Sequence, residues 1–173
     1  MQRTATRQHI ADRFSAEARR FVEWADGTST PGPLSAPVAL RRVVAVYAAA
    51  LSLPQPWSER VSNRRDDELD LTEDLASVHR RAQSIPLQHY SEIFSPLVPQ
   101  DEPVVGDLAD DLRDIYGHLA AGLYLHECGK IDDALWEWGF NFQAHWGEHA
   151  SSAIRALHCY LAQEDPSGLC SDC

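Results

Sequence analysis

The fold is decided by residues 107–163, which read DLADDLRDIYGHLAAGLYLHECGKIDDALWEWGFNFQAHWGEHASSAIRALHCYLAQ. Apolar residues recur in the first part at helical spacing and predict a helix over 107–127; they are Leu108, Leu112, Ile115, Leu119 and Leu123. Gly129 ends this helix, and a pair of acidic residues opens a second helix over 131–163. Because only a short turn separates the two helices, they must fold back on each other as an antiparallel hairpin.

The rest of the chain predicts further helices and no sheet, because no stretch alternates between apolar and polar residues. The predicted helices cover residues 12–26, 37–52 and 71–82, with a short one over 87–94 that Pro96 ends. The segment 54–70 is charged and rich in proline, which is typical of a mobile connection. We therefore predict a single all-α domain over 9–164, a bundle of five or six helices built around the hairpin. A flexible C-terminal tail is predicted over 165–173.

Charge and composition exclude several classes of partner. Twenty-six acidic residues against fifteen basic ones, in 173 residues, give a net charge of -11. Such a field repels nucleic acid and anionic membrane surfaces. The N-terminus has no apolar signal segment, and the longest apolar run, 43–51, is too short to span a bilayer. These features predict a cytoplasmic protein with cysteines as thiols, in which the terminal Cys170-x-x-Cys173 pair is a weak metal or redox signal.

The motif His145-Trp-Gly-Glu-His149 matches H-x-x-E-H, the inverted zinc-protease pattern. Its two histidines are one helical turn apart and share a face, as metal capture requires. A protease of this type also needs a third ligand, a glutamate far downstream on another helix. Glu164 is the only glutamate after the motif, and it lies too far along the same predicted helix. We therefore reject the protease interpretation and assign no catalytic residues.

A weaker hypothesis of a metal site remains. Asp111, Asp114 and His118 lie along one flank of the first hairpin helix, and helical bundles build metal sites from such facing ridges. The alternative function is a divalent-metal-binding helical bundle that uses these three residues with His145 and His149. Hydrolysis is the activity that such a bundle would allow. No other cofactor is predicted. Whether the ridge faces the histidines depends on the crossing of the helices, and acidic residues in a first helical turn also simply complement the helix dipole.

Aromatic residues in the second hairpin helix support a different function. Trp136 and Phe140 point roughly 100° to 140° away from the main apolar stripe, and Trp138 also lies off it. Either this helix is covered on both sides within the monomer, or its second face meets a partner. Because no nucleophile–base arrangement is found, the leading hypothesis is a non-enzymatic interaction or regulatory domain. It would use Trp136, Phe140 and Trp138, or the acidic surface of the chain, to bind a protein partner or a second copy of the chain.

The segment Gly106–His158 resembles the core of a bacterial family known as domain of unknown function 5063. The surrounding residues fit as well: RFSAEARRFVEWA near the start, Tyr47–Leu51, and Phe94-Ser-Pro-Leu97 before the hairpin. The resemblance implies a small, all-helical, cytoplasmic bacterial protein with no assigned activity. In the family pattern the motif reads His-Trp-Gly-x-His, which implies that the position of Glu148 is open to other residues. The family supplies no catalytic residues.

Overall fold

The computed structural model describes residues 2–55, 69–93, 96–97, 99 and 102–170, with side chains from residue 6 onward. Six helices of eleven residues or more lie within these residues, which confirms the predicted all-α bundle. They are α1 (Gln2–Ala25), α2 (Ala36–Ala50), α3 (Thr72–Ala82), α4 (Leu108–Glu127), α5 (Ile131–Asn141) and α6 (Gly147–Glu164). Among these described residues, no helix is both long enough and apolar enough to cross a membrane.

The predicted hairpin is present and is the centre of the bundle. The Asp107 carboxylate caps α4 by accepting hydrogen bonds from the backbone N–H groups of Ala109 and Asp110. Gly129 ends the helix in the left-handed region, with φ of 73°, where a residue without Cβ is favoured. Helix α5 then returns along α4.

The helix predicted over 87–94 is wrong. Residues His89–Glu92 form strand β1, which pairs antiparallel with β2 (Val104–Asp107). Tyr90 faces Gly106 in this register. The β1 strand is too short for its burial pattern to appear as an alternating run in the sequence, and the two paired strands are separated by more than ten residues.

The second hairpin helix is not continuous. A π-helical segment, Phe142–Trp146, lies between α5 and α6. The π segment adds one residue to a helical turn. Trp138 and Trp146 therefore point in the directions of residues seven apart in an ordinary α-helix, within about 20° of each other. Both side chains therefore reach the same core, where their rings pack against Phe14 of α1 at centroid distances of 4.8 and 6.4 Å.

Both ends of the bundle differ from the prediction. Helix α1 begins ten residues before the predicted start, since Gln, Ala and Arg in its first turns favour helix. A short helix, α7 (Pro166–Cys170), forms where a flexible tail was predicted, because Leu169 packs against the core. Most of the predicted mobile connection (56–68), together with Phe94, Ser95 and Cys173, lies outside the described residues.

Candidate metal centre

The acidic ridge on α4 faces the two histidines of HWGEH. One ligand atom each from Asp114, His145 and His149 lies within 4.8 Å of the other two. His118, also on the ridge, places its Nε2 3.0 Å from the Nδ1 of His145. The structure thus brings together all five residues proposed from the sequence, although Asp111 takes a different place from the others.

Asp111 lies behind His149 and fixes the orientation of its ring. The Nδ1–H of His149 donates to Oδ1 of Asp111 at 2.8 Å, and the Tyr90 hydroxyl donates to Oδ2 at 2.6 Å. Both carboxylate oxygens are therefore engaged, and the Nε2 of His149 is directed towards Asp114, 3.5 Å from its Oδ2. A carboxylate that holds one nitrogen of a histidine while the other points outward is the usual support of a metal-ligating histidine.

Burial and pairing shift the protonation of these groups. The hydrogen bond to Asp111 raises the pKa of His149, against the lowering caused by burial. Burial raises the pKa of Asp111, and the hydrogen bonds from His149 and Tyr90 only partly offset it. Burial also raises the pKa of the Tyr90 hydroxyl, which therefore remains a donor. The chain from Tyr90 through Asp111 to His149 thus has one direction of donation, with Asp111 as the acceptor at its centre.

Asp114 is oriented by its neighbour Arg113. The guanidinium donates to Oδ1 of Asp114 from Nε at 3.0 Å and from Nη2 at 2.9 Å, and pairs with Asp110 through Nη1 at 2.7 Å. This fork holds one carboxylate oxygen and leaves Oδ2 on the side of His149. Arg113 therefore gives Asp114 the same kind of support that Asp111 gives His149.

His118 has a carboxylate behind it as well. Its Nδ1 lies 3.6 Å from Oε1 of Glu137 on α5, and that oxygen accepts a hydrogen bond from Asn141 at 2.7 Å. The facing nitrogens of His118 and His145 lie at hydrogen-bonding distance, so one ring donates to the other. Burial lowers the pKa of His145, and the positive charges of His149 and His118 lower it further. Three neighbouring imidazoles therefore favour the neutral form of the one between the other two, which is the form that binds metal.

The π segment and a glycine set the position of His145. His145 lies inside the π segment, and His149 lies in the first turn of α6. A Cβ added to Gly147 would lie 2.2 Å from the carbonyl oxygen of Phe142, so only glycine fits this turn. π-helical turns occur often at functional sites, where they change the direction of a side chain. The glycine of HWGEH is thus explained by the backbone geometry between the two histidines.

The donor set fits a divalent transition metal. Two imidazoles and one carboxylate are the protein ligands of several catalytic zinc sites and of non-haem iron(II) sites. Bonds of about 2.0–2.1 Å in a tetrahedral site place ligand atoms about 3.3 Å apart. The three atoms would have to move together from their present 4.8 Å limit to bind one ion. Glu148 is exposed and is not one of the converging groups, and the third candidate ligand, the carboxylate of Asp114, comes from upstream, on α4.

The aromatic residues proposed for interaction fall into two groups. Trp136 is half-buried and stacks on Phe140, with centroids 4.6 Å apart and planes 7° from parallel; Phe140 is 42% exposed. Trp138 is fully buried, and its indole N–H donates to the backbone carbonyl of Leu119 at 3.2 Å. The prediction that Trp138 belongs to an interaction surface is therefore wrong, because none of its side chain is accessible to a partner.

Sequence reasoning missed the residues that support the ligands, namely Tyr90, Arg113 and Glu137. Arg113 had a partial signal, because an arginine three residues after Asp110 is positioned to pair with it on a helix, whereas the contact with the adjacent Asp114 is not expected from helical spacing. Tyr90 had none, since it belongs to a strand that was predicted as helix. Glu137 reaches His118 only because α5 returns along α4, and its own helix gives no hint of that partner.

Comparisons with known proteins place the chain in a family and a fold. The model of the family described as domain of unknown function (DUF5063) matches residues 7–163. The protein belongs to this family, as its hairpin suggested. Its structure is similar to the crystal structure of protein BF1032 from Bacteroides fragilis, with a TM-score of 0.61 and 21% sequence identity over 92% of this chain and 91% of that one. This likeness shows a shared fold. A search of proteins with curated functions found no significant match.

Proposed function

We propose that this protein binds one divalent transition-metal ion, zinc or iron(II), through Asp114, His145 and His149, with His118 as a third, neighbouring imidazole. The observation that carries the proposal is the second set of residues behind the ligands. Asp111 holds His149, Arg113 holds Asp114, and Glu137 lies behind His118. Outer residues of this kind fix the ligands of metal sites, and a solvated surface cluster has no need of three of them.

Dipole complementarity does not account for the arrangement. Acidic groups in the first turn of α4 are stabilised by the helix N-terminus, which explains Asp110 without further function. Asp114 and His118 lie beyond that turn, where the effect has fallen off. The ring centroids of His118 and His145 are 5.1 Å apart, and those of His145 and His149 are 4.7 Å apart. Three imidazoles so close together repel when protonated, and a bound cation would stabilise their neutral forms.

The test is the metal content of untagged protein, measured by mass spectrometry beside the double variant His145→Ala/His149→Ala. The matched control is His158→Ala, which removes an exposed histidine from the same helix outside the cluster. We expect near-stoichiometric metal in the wild type and the control and none in the double variant. After chelation, zinc at 100 times its Kd should stabilise the wild type by about 2.7 kcal/mol.

Two results would contradict the metal proposal. One is a protein that purifies without metal and shows no thermal shift with zinc, iron(II) or manganese. The other is equal metal content in the wild type and the double variant, which would place the metal elsewhere. A confirmed site with three protein ligands would leave coordination positions for water, and metal-assisted hydrolysis is then the first reaction class to screen. The cytoplasmic location predicted from the sequence is part of the same proposal.

A second function, protein interaction through α5, is favoured by one observation. The stacked pair of Trp136 and Phe140 leaves a large aromatic side chain 42% exposed beside a half-buried indole. Aromatic residues are enriched at protein interfaces. The partner we propose is a second copy of this chain, and the test is the molar mass of the wild type and of Phe140→Ser by light scattering.

The expected result for this second function is a dimer in the wild type and a folded monomer in Phe140→Ser. Val105→Ser serves as the control, because Val105 is 75% exposed on β2 and lies away from α5 in the chain. A wild type that stays monomeric at high concentration would exclude self-association through Phe140. Dissociation by the Val105 variant alone would move the interface to the β-hairpin.

A further inference from the structure

A cavity of about 430 Å³ lies between β1 and α6. Its apolar wall is formed by Leu87, Ala156 and the ring of Tyr160. None of the candidate metal ligands lines it, although Tyr90 contributes to both sites, with its ring in the cavity wall and its hydroxyl on Asp111. The cavity is large enough for a molecule of ten to twenty non-hydrogen atoms, within the usual size of small-molecule sites.

The charged groups of the wall differ in how they are engaged. Glu92 accepts a hydrogen bond from the hydroxyl of Ser152, also in the wall, and Glu164 is exposed at the end of α6. Arg155 is the cation of the wall, and among the described residues no carboxylate lies within ion-pair distance of its guanidinium. An arginine fork beside an apolar wall matches a carboxylate attached to an apolar body.

We infer that this cavity binds a small organic carboxylate, with the apolar body against Leu87, Ala156 and Tyr160 and the carboxylate on Arg155. The wall thus combines apolar surface with a single convergent cation, as ligand sites commonly do. The inference does not depend on the metal centre, because Arg155 lies outside it.

The experiment uses three probes that share a naphthalene ring and differ in charge. They are 1-naphthaleneacetate, the neutral 1-naphthaleneacetamide and the cationic 2-(1-naphthyl)ethylamine, each titrated into the full chain by calorimetry after metal removal. We expect the acetate to bind about tenfold or more tightly than the amide, the ratio that a charge-assisted hydrogen bond gives. The amine should bind most weakly. The same titrations with zinc added keep the result separate from that of the metal proposal.

Variants assign the binding to the cavity. Arg155→Gln should remove the preference for the acetate, whereas Arg41→Gln, on an exposed part of α2, should leave it unchanged. Ala156→Phe should abolish binding of all three probes by filling the cavity. If the phenylalanine variant fails to fold, Cys159→Trp is the second cavity-filling variant, at an exposed position of the wall outside the core. It should also abolish binding of all three probes.

Several outcomes would overturn this inference. Tightest binding of the amine would make Glu92 the recognition group and exclude a carboxylate ligand. Equal binding of acetate and amide, or an Arg155→Gln variant with unchanged preference, would remove the role of the arginine. Binding that survives both cavity-filling variants would place the probe elsewhere on the protein.

Discussion

The run from α5 through the π segment to α6 carries two clusters of opposite character. On one side Trp138 and Trp146 are fully buried, and each indole N–H donates to a backbone carbonyl, of Leu119 and of Trp138 respectively. On the other side His145 and His149 keep contact with solvent and face charged partners on α4. Both indole N–H groups of the tryptophan cluster have a partner within the chain, while His145 and His149 each place a ligand atom within 4.8 Å of one another and of Asp114.

This difference separates what stabilises the bundle from what it offers to a ligand. The tryptophan cluster gains its energy from burial of large apolar surfaces and is complete without any other molecule. The histidine cluster gathers three imidazoles whose charges repel, which is unfavourable for stability alone.

Trp138→Ala should destabilise the protein by about 3–5 kcal/mol, measured by urea denaturation, because the cavity it leaves cannot collapse within a packed core. That loss is a large share of the stability of a typical domain. Phe140→Ala, two residues away on the surface, is the control and should cost far less. Equal losses from the two variants would contradict the assignment of Trp138 to the core.

Gly147→Ala should affect both clusters at once. The added methyl group would meet the Phe142 carbonyl, and relief of that contact would shift the π segment, at a cost of about 1–3 kcal/mol. Because the π segment places Trp146 and His145 on their respective sides, zinc affinity should fall together with stability. Ala144→Gly, at an exposed position of the same segment, is the matched backbone control. A variant with reduced stability but unchanged zinc binding would show that the two sides are independent.

The helices that carry the tryptophan cluster could be predicted in outline from the sequence. The detailed arrangement of the histidine cluster could not. Apolar periodicity predicted α4 and the hairpin, because a helix that buries one face carries apolar residues at regular helical spacing. The predicted direction of each side chain assumed 100° per residue, as in a regular α-helix. Because the π segment adds one residue, the predicted direction of Trp138 was wrong. No local pattern in the chain announces that insertion except Gly147, which was interpreted only as part of a zinc motif.

The five ligand candidates were found because His and Asp at helical spacing mark a ridge. Whether two ridges face each other depends on the hand and angle of helix crossing, which apolar periodicity does not encode. The supporting residues Tyr90 and Glu137 come from other elements and are brought in by the tertiary fold. The candidate ligands could therefore be predicted from the sequence, whereas their orientation is known only from the structure.

Asp111→Asn should weaken zinc binding by about 10–100-fold, measured by competition with a chelating dye. The amide keeps the size of the carboxylate but removes its charge, and it cannot accept from both His149 and Tyr90 through oxygen. Asp132→Asn, at a surface ion pair with Arg7, is the control and should leave zinc affinity unchanged. Unaltered zinc affinity in the Asp111 variant would mean that the buried carboxylate stabilises the fold and does not support metal binding.

The smallest effect should distinguish the two histidines of the motif by the sign of their pH dependence in metal-free protein. The pKa of His149 is raised in the folded state by Asp111, so its contribution to stability is full below the ordinary value of 6.5 and is lost as pH rises through the folded pKa. The pKa of His145 is lowered by burial and by its neighbours, so its contribution is present above 6.5 and is lost as pH falls through the folded pKa.

Free energies of unfolding between pH 5 and 9 should therefore diverge for His149→Gln and His145→Gln. The wild type should exceed the His149 variant most at acidic pH and exceed the His145 variant most at alkaline pH. Zinc binding should tighten with rising pH whichever histidine is considered, because the metal competes with protons for both. Parallel profiles for the two variants would contradict the assigned roles, since His149 is paired with a buried carboxylate and His145 lies between two other imidazoles. Opposite slopes one helical turn apart would show that the motif joins a histidine paired with a buried carboxylate to one kept neutral by its neighbours.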